Sequence, residues 1–367
     1  MEIGVVGRKR KRLHAGGTLS TRNLVDGLHK IGHEVVRADK SLERLKDAEI
    51  ILLCNNHRIR ETEEFCREKG VPFIARMNGN LSCPARRHVK ISNGFGAPCL
   101  DCNFSKGLKC FFLNETNKAS GVFDRLYHFL SFPFLFAGDK KRISSLNRAE
   151  KVVCTSPTLK NQMKRAGVRK NKLKAIPQPV SKYFSEKTSD IETEKKALFC
   201  GGISEVKGTH LAGQAVSKVD ALDLILVGGG DEKMLRDLER LLGKRLHYKG
   251  SVPHDEVEEY YARSYMTLFT SLWLEPFGRT WAESLMAGTP VVAFKGRGGP
   301  SDYLTHEKNA LLAGCNMESL VKQIRRLLED EELYEKISEN GREFALQELT
   351  PKKIARRYEQ VIREVVG

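Results

Sequence analysis

Short apolar runs alternate with segments of helical spacing along this chain. The alternation stops once, at Ile176-Pro177-Gln178-Pro179-Val180, and then begins again. Alternation of this kind argues for a parallel sheet with helices on both faces. Two prolines within three residues hold the backbone extended, and the polar run 185–196 follows, so a domain boundary is expected near residue 180. Before it, residues 1–6, 32–36, 50–54, 71–75 and 152–155 read as strands, and 19–31, 61–69 and 157–166 as helices; Leu24, Leu28 and Ile31 recur at helical spacing. After it, strands are expected at 197–200, 222–227, 246–250, 266–270 and 290–294, and helices at 209–216 and 232–242. The final segment, 351–365, is amphipathic. A chain of 367 residues suits two domains better than one core. The expected division is 1–180 with a cysteine-rich insertion at about 79–115, then 181–350, then a terminal helix over 351–367.

Hydrophobic residues make up 40% and charged residues 29%, a globular balance. No apolar stretch reaches 18 residues, and the chain opens directly on a strand-like run with no cleavable signal. The expected location is therefore cytoplasmic. The net charge of +16 is uneven: residues 1–180 carry 35 Lys+Arg against 16 Asp+Glu, and residues 181–367 carry 27 against 30. A basic N-terminal half implies an anionic partner there: a membrane surface, a phosphorylated acceptor or nucleic acid. Nucleic acid fits least, because the basic residues do not interleave regularly with aromatics and no nucleic-acid module is present. The run Arg8-Lys9-Arg10-Lys11-Arg12 falls in the first strand-to-helix loop, where an anion or acceptor contact is expected.

Glu275-Pro276-Phe277-Gly278-Arg279-Thr280-Trp281-Ala282-Glu283 places two glutamates eight positions apart around a Phe-Gly turn. Pro290 then opens the run Val291, Val292, Ala293, Phe294, and Gly296, Gly298 and Gly299 follow. The order is strand end, loop, short helix, strand, glycine-rich loop. The helix N-terminus offers unpaired N–H groups and the positive end of its dipole to a phosphate. Glu275 and Glu283 would supply acceptors for sugar or ribose hydroxyls, so the ligand that fits is a sugar nucleotide. An ordinary helix N-terminus with solvated carboxylates is the plainer alternative.

The stretch 275–294 resembles the Glu-x7-Glu signature of glycosyltransferase family 4 (glycosyl transferase group 1), the retaining sugar-nucleotide transferases of GT-B fold. Gly201-Gly202-Ile203-Ser204-Glu205-Val206-Lys207-Gly208 and Ile225-Leu226-Val227-Gly228-Gly229-Gly230 resemble two further family stretches, as do 247–252 and 256–261. In the N-terminal half the likeness thins to Gly16-Gly17 and Gly32-His33-Glu34-Val35. The resemblance implies two Rossmann-like α/β domains facing across a cleft. It also implies a C-terminal helix that returns to the N-terminal domain through Ile354 and Tyr358. It implies a UDP- or GDP-linked sugar donor, a lipid-linked or glycan acceptor, and no cofactor for catalysis. By the same resemblance Lys207 and Glu275 carry the catalytic roles, with Lys207 on the diphosphate and Glu275 near the donor sugar. Gly16, Gly17 and the backbone N–H groups of Phe277, Gly278, Arg279, Thr280 and Trp281 approach the donor, and Glu283 holds the ribose hydroxyls. Two departures stand out. Gly202 occupies the place of a family arginine, with Arg279 or the run 8–12 as candidate replacements, and Asn78 stands near the place of a family histidine. A sugar-nucleotide epimerase or a phosphorylase of the same fold is one alternative, and a basic zinc-containing nucleic-acid-binding protein is another.

Of nine cysteines, Cys83, Cys99, Cys102 and Cys110 fall within 28 residues. The two-residue gap of Cys99-Leu100-Asp101-Cys102 lets both thiolates reach one metal, and the outer pair completes a tetrahedral set. A structural zinc is the expectation, against free thiols or an iron–sulfur cluster. Cys54, Cys66, Cys154, Cys200 and Cys315 read as ordinary buried residues. Residues 123–136 hold six phenylalanines or tyrosines and are followed by Asp139-Lys140-Lys141-Arg142. That segment reads either as an interfacial membrane contact or as a core helix.

Overall fold

The computed structural model describes residues 1–7, 16–54, 56–79, 89–92, 95–98, 103–112, 122–181 and 194–367, excluding the side chains of 16, 89–92, 96–98, 109–112 and 122–129. The chain divides into two compact units. Unit 1 comprises Met1–Lys90, Cys99–Pro179 and Pro351–Gly367; unit 2 comprises Ile91–Pro98 and Val180–Thr350.

Unit 1 runs β1 (Glu2–Val6), α1 (Gly16–Lys30), β2 (Glu34–Ala38), β3 (Ile50–Leu53), α2 (Ile59–Lys69) and β4 (Phe73–Met77). A hairpin of β5 (Val89–Ser92) and β6 (Phe95–Pro98) intervenes. Then come α3 (Phe104–Phe112), α4 (Val122–Leu146), β7 (Lys151–Cys154), α5 (Pro157–Ala166) and β8 (Leu173–Ala175). The sheet order is β2-β1-β3-β4-β7-β8, every pairing parallel. Its strands are almost continuous apolar runs, as a sheet covered on both faces requires.

Unit 2 runs β9 (Glu194–Cys200), α6 (Thr209–Val216), β10 (Asp223–Val227), α7 (Glu232–Leu242), β11 (Leu246–Gly250), α8 (Val257–Arg263) and β12 (Ser264–Phe269). It continues through α9 (Arg279–Met286), β13 (Val291–Phe294), α10 (Pro300–Tyr303), β14 (Leu311–Ala313), α11 (Met317–Glu329) and α12 (Glu331–Glu348). Its sheet is likewise parallel, in the order β11-β10-β9-β12-β13-β14. The three-residue strands β8 and β14 are too short to show a periodicity, and neither they nor α11 and α12 were expected from the sequence. The run expected to be a polar linker over 185–196 gives up Glu194, Lys195 and Lys196 to β9.

The last helix, α13 (Pro351–Val366), belongs to unit 1. Ile354, Tyr358 and Ile362 are fully buried with Leu24 and Leu28 of α1, as the resemblance implied. Residues 91–98, expected within the N-terminal domain, cluster instead with unit 2. There the ring of Phe95 meets that of Phe294, at the end of β13, edge-on at 6.3 Å. A two-stranded hairpin cannot bury its own apolar face and takes cover where it finds it.

Because Ile354 fills space between α13 and α1, Ile354→Ala is expected to cost about 2–4 kcal/mol of unfolding free energy. Urea denaturation of the full chain measures it, and a loss under about 0.5 kcal/mol would show that α13 is not part of the core of unit 1.

Candidate functional site

Unit 2 builds its sheet outward from β9. The chain passes through β10 to β11, then crosses back to lay β12 on the other side of β9. The loops after β9 and β12 therefore leave the sheet in opposite directions, and a crevice opens between them at the carboxyl ends of the strands. Both candidate catalytic residues lie on these two loops.

After β9, Ser204 caps a short turn, Glu205–Lys207, by accepting from the Lys207 N–H at 3.4 Å. The chain then bends through Gly208 at φ 69°, where a Cβ would strike the Thr270 carbonyl. Only glycine fits there at no cost. The loop after β12 is stitched to this turn by Leu272 N–H to the Val206 carbonyl at 2.9 Å and by the Thr270 hydroxyl to the Gly208 carbonyl at 2.8 Å.

These constraints bring the Lys207 ammonium onto Glu275 Oε1, to which the Ser271 hydroxyl also donates at 2.9 Å. The ammonium lies 5.3 Å from the centre of the Trp273 ring, within cation–π range. Glu275 is 3% exposed. Its main chain is gripped on both sides, with its N–H donating to the Arg297 carbonyl at 3.1 Å and its carbonyl accepting from Gly299 at 2.7 Å. Gly298, at φ 84°, lies so close that a Cβ would overlap the Glu275 carbonyl. The glycine-rich loop after β13 thus acts first as the clamp that positions Glu275.

Glu283, one turn into α9, is buried and held by three neighbouring side chains. Its Oε1 accepts from Arg279 Nε at 3.1 Å and meets His254 Nε2 at 3.0 Å; its Oε2 accepts from the Tyr261 hydroxyl at 3.2 Å. Burial alone would push this carboxyl's pKa up. The adjacent Arg279 charge and the His254 hydrogen bond outweigh burial and hold it down at about 2. Burial, with the Glu283 charge adding to it, pushes the Cys200 thiol up to about 12 and the Tyr261 phenol well above its usual value. Both therefore stay neutral beside the carboxylate. Arg279 commits its guanidinium to Glu283, and the other candidate replacement for the arginine absent at Gly202, residues 8–12, lies outside the described residues. Phe277 and Trp281 face inward: Trp281 stacks on Tyr303 at 5.8 Å, and its Nε1 donates to the Phe277 carbonyl at 2.6 Å. Their side chains are thus committed to packing, which leaves only their backbone N–H groups as candidate ligand contacts.

In unit 1 the equivalent crossover lies between β1 and β3. A cavity of about 210 Å³ opens there, lined by Gly7, Gly17, Thr18, Arg37, Asn56 and Asn78 among others. Gly16 opens α1, and Gly17 meets the cavity one residue later. The Asn78 carboxamide oxygen accepts from Gln178 at 3.5 Å. Cys83, Cys99 and Cys102 lie outside the described residues, as does the side chain of Cys110. Among the described residues no group of three or more His, Cys, Asp or Glu side chains could hold a metal.

Residues 181–344 match the family model of the glycosyl transferases group 1. Over these residues unit 2 is similar to the glycosyl transferases group 1. The chain is 27% identical over 243 residues to the lipopolysaccharide core biosynthesis glycosyltransferase LpsD of Rhizobium meliloti, an alignment covering 63% of this chain and 69% of LpsD. It is 28% identical over 192 residues to YtcC of Bacillus subtilis (48% of this chain, 47% of YtcC). With MJ1178 of Methanocaldococcus jannaschii it is 27% identical over 202 residues (54% and 55%). The chain thus spans about half the length of YtcC and of MJ1178, both glycosyltransferases by name. Among solved structures, Anabaena Alr3699/HepE in complex with UDP and glucose superposes with a TM-score of 0.72 at 17% identity, covering 100% of both chains. Sucrose-phosphate synthase from Thermosynechococcus elongatus superposes at 0.71 and 17% identity, covering 100% of this chain and 99% of that one. The fold is GT-B.

Within the matched region, the sequence does not single out four residues that touch the candidate ones: Ser271 and Trp273 at Lys207–Glu275, and His254 and Tyr261 at Glu283. Tyr261 sits on the apolar face of α8 and His254 in a loop, where nothing local distinguishes them. Ser271 is four positions before Glu275 in the same loop, a spacing that could have been noticed.

The depressed Glu283 carboxyl makes stability depend on pH in a definite direction. Its folded pKa lies below the ordinary 4.5, so its contribution is fully present above about pH 4.5 and is lost as pH falls toward 2. A shift of that size corresponds to about 3 kcal/mol. The expectation is that unfolding free energy falls by about that amount across this interval, and that Glu283→Gln flattens that part of the profile. Equal slopes in both proteins would show that the carboxyl is not held down.

Proposed function

We propose that this chain is a retaining glycosyltransferase of family 4, moving a hexose from a UDP- or GDP-linked donor to a lipid-linked or glycan acceptor at the cytoplasmic face of a membrane. The observation that carries this reading is the pairing of Lys207 with Glu275 over Trp273 at the crossover of the unit 2 sheet. Breaking the bond from sugar C1 to a nucleoside diphosphate leaves negative charge on the departing phosphate, and a fixed cation lowers the energy of that state. Lys207, 37% exposed while Glu275 is buried, is the partner able to turn toward an incoming diphosphate. Glu275, released from the ammonium, then accepts from a hydroxyl of the donor sugar. The N–H groups that open α9, from Gly278 to Trp281, face no earlier helical carbonyl and supply donors to phosphate. Glu283 is held ionised, and its Oε2, engaged by the Tyr261 hydroxyl, has a second lone pair with which to accept from a ribose hydroxyl, while Gly16 and Gly17 admit a ligand close to the backbone in unit 1.

The relatives support the same substrate class. Alr3699/HepE was solved in complex with UDP and glucose, and with UDP-glucose. LpsD is named for lipopolysaccharide core biosynthesis, and WaaB, of TM-score 0.65 and 13% identity, is a lipopolysaccharide outer core galactosyltransferase. A saccharide on a lipid carrier is also consistent with the excess positive charge of residues 1–180.

The test is thermal stabilisation by UDP, GDP and their sugars, followed by turnover of whichever donor binds. Lys207→Ala is expected to keep the fold and lower kcat about 100- to 1,000-fold, the usual cost of removing one charge-stabilising donor. A folded protein with no nucleotide-dependent shift, yet with salt-sensitive binding to RNA, would overturn the reading. For Cys83, Cys99, Cys102 and Cys110 we retain a structural zinc outside the chemistry. Metal analysis of protein purified without added metal is expected to return about one zinc per chain, and a value near zero would remove it.

A further inference from the structure

α4 has two faces of opposite character. On one, Phe132 is completely buried, Ile143 and Leu146 enter the core of unit 1, and the rings of Phe132 and Phe136 lie 5.3 and 5.5 Å from Phe104 of α3. On the other, Leu130, Phe134, Ala137 and Lys141 fall on one stripe at spacings of four, three and four, and all are exposed. Phe134 is 80% exposed and Leu130 58%. Pro133 and Lys140 flank the stripe, also exposed. Single exposed apolar side chains need no explanation, but a group does. Among the described residues, the large apolar side chains left exposed on α3 and α4 are Phe104, Leu130, Phe134 and Leu135, whereas Met1, Leu241, Tyr248 and Val366 are scattered.

The charges beside the stripe have one sign. Lys106 on α3 and Lys140 and Lys141 on α4 are exposed, and Asp139 between them is tied to Arg142 at 3.0 Å. The stripe therefore meets water as apolar side chains edged by exposed lysines. A helix of that composition lies in the boundary between lipid headgroups and acyl chains, with its lysine stems extended to the phosphates. Spanning is not the alternative: no helix among the described residues is long and apolar enough to cross a membrane.

We infer that the Leu130–Phe134–Ala137 stripe of α4, with Lys106, Lys140 and Lys141, is the surface by which this chain docks on an anionic lipid bilayer. It deepens the proposed function, on whose lipid-linked acceptor it rests for its purpose, by giving that reaction a place. The observations that carry it are independent of the donor site.

The experiment is co-sedimentation of the full chain with vesicles of phosphatidylglycerol and phosphatidylcholine, against phosphatidylcholine alone, with the nucleotide thermal shift measured on the same samples. The chain is expected to partition at least about tenfold more strongly onto the anionic vesicles, and to lose most of that at about 1 M salt, where the Debye length is about 3 Å. Leu130→Asp/Phe134→Asp is expected to reduce partitioning at least about tenfold. Lys140→Glu/Lys141→Glu is expected to abolish the preference for anionic lipid, with the nucleotide shift unchanged in both variants. Because the altered side chains are exposed, an unchanged thermal midpoint verifies folding, and Phe134→Ser serves if the double aspartate does not fold. Wild-type partitioning that survives these changes would overturn the assignment. So would a dimer in sedimentation velocity that Phe134→Ser dissolves while vesicles bind nothing. Loss of vesicle binding with the nucleotide shift intact defeats the docking surface alone; vesicle binding without any nucleotide shift defeats the donor reading alone.

Discussion

The ion pair between Lys207 and Glu275 depends on, and helps to hold, the two loops that define the unit 2 crevice. Parallel strands need crossovers, and where the direction of crossover reverses, adjacent loops part and leave polar backbone groups without a neighbouring strand. Here that gap is closed by a few specific contacts: Leu272 to Val206, Thr270 to Gly208, and Lys207 to Glu275. Gly208 and Gly298 set how closely the three loops approach, because a side chain at either would displace the backbone it touches. The crevice is therefore a consequence of sheet topology, and its chemical character comes from the side chains recruited to close it.

Glu283 shows how the same unit keeps a charge in its interior. An isolated carboxylate would take up a proton when buried. Arg279, His254 and Tyr261, drawn from α9, from the β11–α8 loop and from α8, surround it with donors, so it remains ionised. Removing one partner from such a cluster costs more than the pair is worth in isolation, because a charge is then left without compensation. The cluster therefore fixes the N-terminal end of α9 against α8. That is the end at which the backbone N–H groups of the helix face no earlier helical carbonyl.

Unit 1 is organised by different means. Its sheet is sealed by α13, returning from the far end of the sequence to bury Ile354, Tyr358 and Ile362 against α1. Beneath that helix Arg76 is 1% exposed, and its guanidinium donates to the Ser20 hydroxyl of α1. Burial raises the thiol of neighbouring Cys54, and the Arg76 charge opposes that rise. Among the described residues, exposed lysines such as Lys106, Lys140 and Lys141 on α3 and α4 carry part of the positive excess of residues 1–180.

The sequence by itself determined the class of this protein and the main boundary between its two units. Periodicity set most strands and helices, Pro177 and Pro179 marked the boundary that falls between residues 179 and 180, and a motif string pointed to the family whose model matches residues 181–344. These are legible because they depend on residues close together in the chain. What only the tertiary structure decided depends on residues far apart. Glu283 meets His254 and Tyr261 across 29 and 22 positions, Lys207 meets Glu275 across 68, and residues 91–98 cluster with a unit whose main body begins at residue 180. Local preference carries no information about such pairings. They arise when strand order brings distant loops together, and burial then leaves each charge only the partner within reach.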